Sequence, residues 1–266
     1  LETSYDFPTN GAKYITIGYA PEKTFTRSIY FDGTKDYLDA GDVLDLNPSE
    51  FTISAWIKRG SGSANKSIVS KRDAGYSNGG YDLKITSTGK VEMSWKNGGT
   101  QIITSLTTIP ENVWHQVAVI YDGTNASLYI DGVLDTSAPL GEPVATSSNS
   151  ESFLIAAADG EEINTTSFFD GNIDEVRIWD KALSEDELHF VMNQEIEDNT
   201  DIAGSYFATN SITPTKYDIA RADNTLNWVN LKGYYPMSTY TFTNCKDASG
   251  NGNNGTLKLG STGVTA

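Results

Sequence analysis

Between Ser28 and Trp179 the chain is a succession of short apolar–polar alternations cut by turn dipeptides. Phe51-Thr52-Ile53-Ser54-Ala55-Trp56-Ile57-Lys58 alternates strictly, with Phe51, Ile53, Ala55 and Ile57 on one side and Thr52, Ser54, Trp56 and Lys58 on the other. A period of two belongs to a β-strand with one buried face; a helix would wrap the same residues around its whole circumference. Tyr81–Ile85 and Val91–Lys96 alternate likewise, separated by Thr88-Gly89. Asp32-Gly33, Asp122-Gly123 and Asp131-Gly132 close other runs, and Ser127–Ile130, Phe153–Ala157 and Ile173–Trp179 extend the series. Trp114–Tyr121 is apolar on both faces and reads as a central strand. Strands recurring roughly every 8 to 15 residues between such turns predict an all-β sandwich or barrel.

One helix interrupts the pattern. Ser184 with Glu187 three residues later forms a capping box, and Leu188, Val191 and Met192 then follow at i, i+3, i+4 spacing. The spacing predicts a helix over 185–195.

Composition narrows the partners. Lys and Arg number 19 against 35 Asp and Glu, a formal charge of −16. A surface this acidic repels nucleic-acid backbones and anionic lipid, and favours hard cations, calcium above all. The apolar runs are too short for a membrane-spanning helix, so no membrane insertion is expected. A single cysteine, Cys245, cannot build an internal disulfide and reads as a small buried hydrophobe. The chain opens on Leu1 and is expected to be part of a longer one.

In order along the chain, Ile29-Tyr30-Phe31-Asp32-Gly33, Phe51–Ile57, Trp114-His115-Gln116-Val117-Ala118, Leu128-Tyr129-Ile130-Asp131-Gly132, Gly171–Trp179 and Ala182–Leu188 resemble the laminin-G-like jelly rolls of the concanavalin-A-like lectin/glucanase superfamily. The resemblance covers roughly residues 25 to 195. It implies a two-sheet antiparallel jelly roll of laminin-G type with one short helix after it. Residues 1–21, with Phe7-Pro8-Thr9-Asn10-Gly11 and Tyr14-Ile15-Thr16-Ile17, look like the end of a polycystic-kidney-disease-type immunoglobulin-like repeat. The jelly roll is expected over 22–198 and a linker over 199–225. Residues 226–266, with Gly233-Tyr234-Tyr235-Pro236-Met237 and Asp247–Leu257, look like the start of a following β unit or extra strands. Such an assembly is similar to secreted surface proteins of gliding or polysaccharide-degrading Bacteroidetes. That resemblance implies an extracellular location, adhesion, and neighbouring domains in one long chain.

Catalysis finds little support. Family 16 glycoside hydrolases of this fold use a Glu-x-Asp-x-x-Glu strand, and Asp174-Glu175-Val176-Arg177 lacks the second Glu. His115 and His189 are isolated, His115 reading as packed and hydrogen-bonded. Asn78-Gly79-Gly80 and Asn97-Gly98-Gly99 are hairpin turns, because no Lys-Ser/Thr or helix follows to make a phosphate loop.

Relatives often bind one calcium through an aspartate pair, which by resemblance points to Asp32 and Asp174, with Asp36 or the Gly33 and Thr34 carbonyls completing the six to eight oxygens. The alternative is that Asp32 only shapes its turn and Asp174 pairs with Arg177 or a backbone N–H. Asp159-Gly160-Glu161-Glu162 reads as a solvated loop.

The resemblance also implies one concave sheet whose outward face can form a groove. Sugars stack on aromatic rings while polar groups bond their hydroxyls. Trp56, Lys58, Tyr76, Asp82, Lys84 and Glu92 are the candidate ligand residues, though Trp56 and Tyr76 are equally compatible with ordinary packing. The reading is a non-catalytic, extracellular, calcium-stabilised module that binds carbohydrate or another cell-surface partner. The alternatives are a protein-interaction or spacer module, or a polysaccharide-degrading glycoside hydrolase.

Overall fold

The alternating runs pair into two antiparallel sheets. The computed structural model describes residues 28–46, 49–62, 64–73, 75–77, 79–97, 99–140, 149–158, 167–192, 228–238, 240–241 and 243–260. The first sheet holds β1 (Ile29–Asp32), β3 (Phe51–Arg59), β8 (His115–Tyr121), β9 (Asn125–Ile130), β10 (Val133–Pro139), β12 (Asp170–Trp179) and β13 (Leu231–Tyr235). Its order is β1-β12-β3-β8-β9-β10, and β13 also pairs with β12. The second sheet holds β2 (Tyr37–Asp39), β4 (Lys66–Arg72), β5 (Gly80–Ile85), β6 (Lys90–Asn97), β7 (Gly99–Thr108), β11 (Leu154–Ile155), β14 (Tyr240–Thr241), β15 (Asn244–Cys245) and β16 (Gly255–Lys258). Its order is β14-β15-β16-β2-β11-β4-β5-β6-β7.

The core lies between the sheets. Phe51, Ile53, Ala55 and Ile57 meet Tyr81, Leu83, Ile85, Val91, Met93 and Trp95 there, all buried. Phe51 stacks on Tyr121 with centroids 5.5 Å apart, and Trp95 packs edge-on to both. Trp114–Tyr121 is a central strand from His115 onward, with β3 on one side and β9 on the other.

A second apolar cluster forms on the outer face of the first sheet. Ala118, Ile120, Trp179, Leu231 and Tyr234 pack there against Leu183, Leu188 and Val191 of helix α1 (Glu185–Met192) and the turn before it. The capping box closes as expected: the Ser184 N–H donates to Glu187 Oε2 at 2.9 Å, and the Glu187 N–H to Ser184 Oγ at 3.2 Å. The helix is described to Met192; the expected last turn lies outside the described residues. Beneath it Arg177, fully buried, donates to Glu175 and to the Val191 carbonyl, with its guanidinium 5.0 Å from the centre of the Tyr234 ring. The Tyr234 hydroxyl completes the network by donating to Glu175 at 2.8 Å. No helix among the described residues is long and apolar enough to cross a membrane.

The late strands enter both layers. β13 pairs with Val176–Trp179 of β12, while β1 occupies the same edge over Asp170–Ile173. β16 pairs with β2 and extends the second sheet through β15 and β14. Gly255 allows this close approach, since a Cβ there would sit 2.1 Å from Leu38 Cδ2 and 2.5 Å from its Cγ. Cys245 is buried in the core, and burial first, then the charges of Asp174 and Asp247, pushes its thiol up to about 12. The immunoglobulin-like end expected in residues 1–21 and the linker expected in 199–225 lie outside the described residues.

Asp32 ends β1 in a turn it organises itself. Its Oδ1 accepts from the N–H groups of Thr34 (2.8 Å), Lys35 (3.0 Å) and Asp36 (3.3 Å), and its Oδ2 from the Thr34 hydroxyl (2.5 Å). Burial alone would raise this carboxyl, but the hydrogen bonds outweigh it and hold it at about 2 against an ordinary 3.8.

Three outcomes are expected. Arg177→Met leaves Glu175 buried without its ion-pair partner and loses about 3–5 kcal/mol in urea denaturation; a loss below about 1 kcal/mol means the network does not anchor the helix. Gly255→Ala overpacks Leu38 and lowers stability by about 1–3 kcal/mol, read from thermal melts. The depressed Asp32 carboxyl stabilises the fold above its unfolded value, and this is lost as pH falls from about 3.8 toward about 2. The stability advantage of the native protein over Asp32→Asn therefore shrinks across that window, and a pH-independent difference contradicts the turn's role.

Candidate functional site

Strand alternation builds a cluster of polar and charged side chains on one sheet face. In β5 and β6, Tyr81, Leu83, Ile85, Val91, Met93 and Trp95 go inward, so Asp82, Lys84, Glu92 and Ser94 share the outer face of the second sheet. Register places Asp82 opposite Ser94 and Lys84 opposite Glu92. On one side β4 brings Ser70 opposite Asp82, with Arg72 opposite Gly80. On the other, β7 brings Ile102 opposite Ser94 and Thr104 opposite Glu92. Ile102 is half exposed, an apolar side chain in a polar row.

Tyr76 reaches this face from the loop between β4 and β5. Its backbone is left-handed, φ +53°, a conformation that side chains other than glycine rarely adopt. The loop rejoins the sheet at Gly80, φ +104°, where a Cβ would lie 2.2 Å from the Lys71 carbonyl oxygen, so only glycine fits. The Tyr76 hydroxyl lies 2.6 Å from Ser94 Oγ, and Arg72 stacks 4.6 Å from the ring centre. The tyrosine thus joins Ser94 on β6 to Arg72 at the end of β4. Burial first, then the charge of Asp82, pushes its phenol well above the ordinary tyrosine range.

The charges on this face are committed to one another. Asp82 is fully buried, and its Oδ2 accepts from Arg72 Nη2 at 3.0 Å and Nε at 3.3 Å. Lys84 Nζ lies 3.0 Å from Glu92 Oε1 and 3.8 Å from Asp82 Oδ2. Glu92 Oε2 accepts from the Thr104 hydroxyl at 3.1 Å. Asp82 Oδ1 is buried with no hydrogen-bond partner.

Tyr76, Asp82, Lys84 and Glu92 are therefore brought together, and Trp56 and Lys58 are not. Those two belong to β3, in the other sheet, whose outer face looks the opposite way. Trp56 sits part-buried under the helix end and donates from Nε1 to the Met192 carbonyl at 2.7 Å. Lys58 lies further along β3 opposite Asn172. Sequence reasoning missed Arg72 and Ile102. The signals were Ser67–Arg72 and Gln101–Thr104, two short runs with apolar positions that it passed over.

The aspartates expected to hold calcium do not converge. Asp32 pairs with Asp170 across β1 and β12, and Asp174 is four residues further along β12, roughly 13 Å at ~3.3 Å per residue. Asp174 is buried and its Oδ1 accepts the Glu175 N–H, while Asp36 Oδ1 accepts the Gly260 N–H at 2.9 Å. At another edge Lys71 Nζ sits where a cation would, 2.6 Å from Asp42 and 3.5 Å from Asp45. Among the described residues no three His, Cys, Asp or Glu are placed to share an ion, and these residues do not fit a calcium site. The acidic loop Asp159–Glu162 lies outside the described residues. Neither histidine joins the outer-face cluster: His115 Nδ1 pairs with Asp131 at 2.7 Å and His189 Nε2 with the Gly132 carbonyl at 2.6 Å.

Solved structures share this architecture. A candidate carbohydrate-binding protein from Bacteroides ovatus is 21% identical with a TM-score of 0.57, over 90% of this chain and 59% of that one. This chain thus spans less than two thirds of that protein. The CBM40 of the Ruminococcus gnavus IT-sialidase is 20% identical with a TM-score of 0.54, over 62% of this chain and 96% of its own. With α2,3-sialyllactose bound, the same CBM40 gives 20% identity, a TM-score of 0.50 and the same coverage. At such identities the likeness is one of fold. A search of curated proteins finds no match. The family model described as the concanavalin A-like lectin/glucanases superfamily matches residues 32–189, more than half of the sequence, and the chain belongs to that superfamily.

Proposed function

We propose that this chain is a non-catalytic carbohydrate-binding unit that works outside the cell within a longer surface or secreted protein. The observation that carries the reading is the outer face of the second sheet. There a buried carboxylate with an unused acceptor on β5, the Ser94 hydroxyl on β6, the Thr104 hydroxyl and half-exposed Ile102 on β7 and Tyr76 from the β4–β5 loop share one face. Sugar recognition needs this mixture, polar groups for hydroxyls and apolar surface for the C–H faces. Fold likeness to carbohydrate-binding structures supports the reading without deciding it.

Hydrolysis fits the same face poorly. Asp82 and Glu92 share it, but Lys84 lies between them and contacts both. Glycoside hydrolysis needs that space for the scissile bond and a free acid on one carboxyl. Calcium has no part in this reading.

The test is a glycan array probed with the full chain, once with calcium and once with chelator. Binding is expected in both buffers with equal strength, and incubation with the bound glycan is expected to release no reducing sugar. Binding abolished by chelator would restore a calcium-dependent lectin, and no binding in either buffer would end the carbohydrate reading.

A further inference from the structure

Resting on that reading, we infer that the outer-face site is specific for neutral glycans. A sugar hydroxyl donates to Asp82 Oδ1 once Tyr76 swings off Ser94, and acidic sugars are refused.

The buried acceptor is the first argument. A carboxylate oxygen buried without a donor is costly, because an ionised group loses its hydration and gains nothing for it. Asp82 Oδ2 is well served by Arg72, yet Oδ1 on the same carboxylate is left without a hydrogen bond. Ser94 Oγ stands opposite on the neighbouring strand, where its partner is the Tyr76 hydroxyl at 2.6 Å. Asp82 and Ser94 face each other across β5 and β6, so an incoming sugar that replaces that phenol meets Ser94 Oγ with the Asp82 carboxylate on the adjacent strand. Adjacent hydroxyls of one ring suit such a pair.

Charge is the second argument. An acidic sugar needs a cation with spare hydrogen-bonding capacity, as a bidentate arginine provides. Here Arg72 is bound to Asp82 through Nε and Nη2 and to the Asp73 carbonyl through Nη1. Lys84 is bound between Glu92 and Asp82. A carboxylate brought here would face the unshared Asp82 oxygen and find both cations neutralised. The chain's net charge of −16 adds to that repulsion at a distance.

Tyr76 is the gate. Its backbone is left-handed, and its hydroxyl is held at Ser94 with the ring against Arg72. A ligand must displace the phenol–hydroxyl bond to Ser94 and the stacking on Arg72. Once displaced, the ring is available to a C–H face of the same sugar.

The experiment uses the full chain in titration calorimetry. The probes are lactose, arabinotriose, xylotriose, cellotriose and mannotriose, with α2,3- and α2,6-sialyllactose as acidic counterparts of lactose. The expected result is binding to at least one neutral probe and to neither sialyllactose. Asp82→Asn is expected to weaken neutral binding roughly 10- to 100-fold, the effect of removing a hydrogen bond to a charged acceptor. Ser94→Ala leaves the Arg72–Asp82 pair intact and is expected to weaken it severalfold, which keeps the test valid if Asp82→Asn fails to fold. Sialyllactose binding overturns the inference and leaves the carbohydrate reading standing. Neutral binding unchanged in both variants does the same, because the glycan then sits elsewhere. Silence from every probe, together with a blank array, overturns both.

Discussion

The rest of the structure depends on one irregularity in β12, the bulge between Asp174 and Arg177. Asp174 pairs with Trp56 and Arg177 with Ser54, so β12 carries one more residue than β3 over that span. Glu175 absorbs the extra residue in a left-handed conformation, φ +53°. Without it, strict alternation from Ile173 would send Glu175 and Arg177 into the core. With it, Ile173, Val176 and Ile178 all face inward, while Arg177 and Trp179 turn out beneath the helix. The same strand then serves β3 along one edge and β1 and β13 in tandem along the other. One backbone bulge thus lets a charged strand close the sandwich, seat the helix and accept the late strands.

The helix seat and the candidate site solve opposite problems with similar residues. Under α1 Arg177 donates to Glu175 and to the Val191 carbonyl and Tyr234 donates to Glu175, which makes the outer face of the first sheet a structural surface. The outer face of the second sheet has its own arginine, carboxylate and tyrosine. There the tyrosine arrives from a strained loop and the carboxylate keeps an acceptor unfilled. Buried networks gain most when every member is satisfied. The first network locks an element in place; the second leaves room for one more donor.

What the sequence shows directly is what its local chemistry decides. Strand alternation, the Asp-Gly turns and the Ser184–Glu187 capping box rest on neighbours a few residues apart, and these reappear in the structure. Which rows share a surface is different. The row Thr52–Lys58 and the rows Asp82–Lys84 and Glu92–Ser94 have the same polar pattern, yet they lie on opposite sides of the molecule. Alternation assigns faces within one strand and says nothing about which sheet the strand joins. Trp56 was misplaced for that reason, since its covering helix lies over 120 residues further on. The separation of Asp32, which pairs with Asp170, from Asp174 follows from the β1–β12 register, which a single sequence does not print. Arg72 and Ile102 were missed because β4 and β7 carry short, mixed apolar runs without strict alternation.

Other buried groups also lack partners, among them the Trp95 indole N–H and the Gln116 amide. Those two groups are neutral. At Asp82 the unfilled atom belongs to a carboxylate, for which the loss of hydration is far larger than for a neutral amide or indole. Asp82 lies on the outer face of the second sheet, on the strand next to the Tyr76–Ser94 contact. Local conflicts in an otherwise consistent fold tend to mark the places that function has kept. In this chain a tyrosine in a left-handed conformation and an underserved carboxylate lie on the same face.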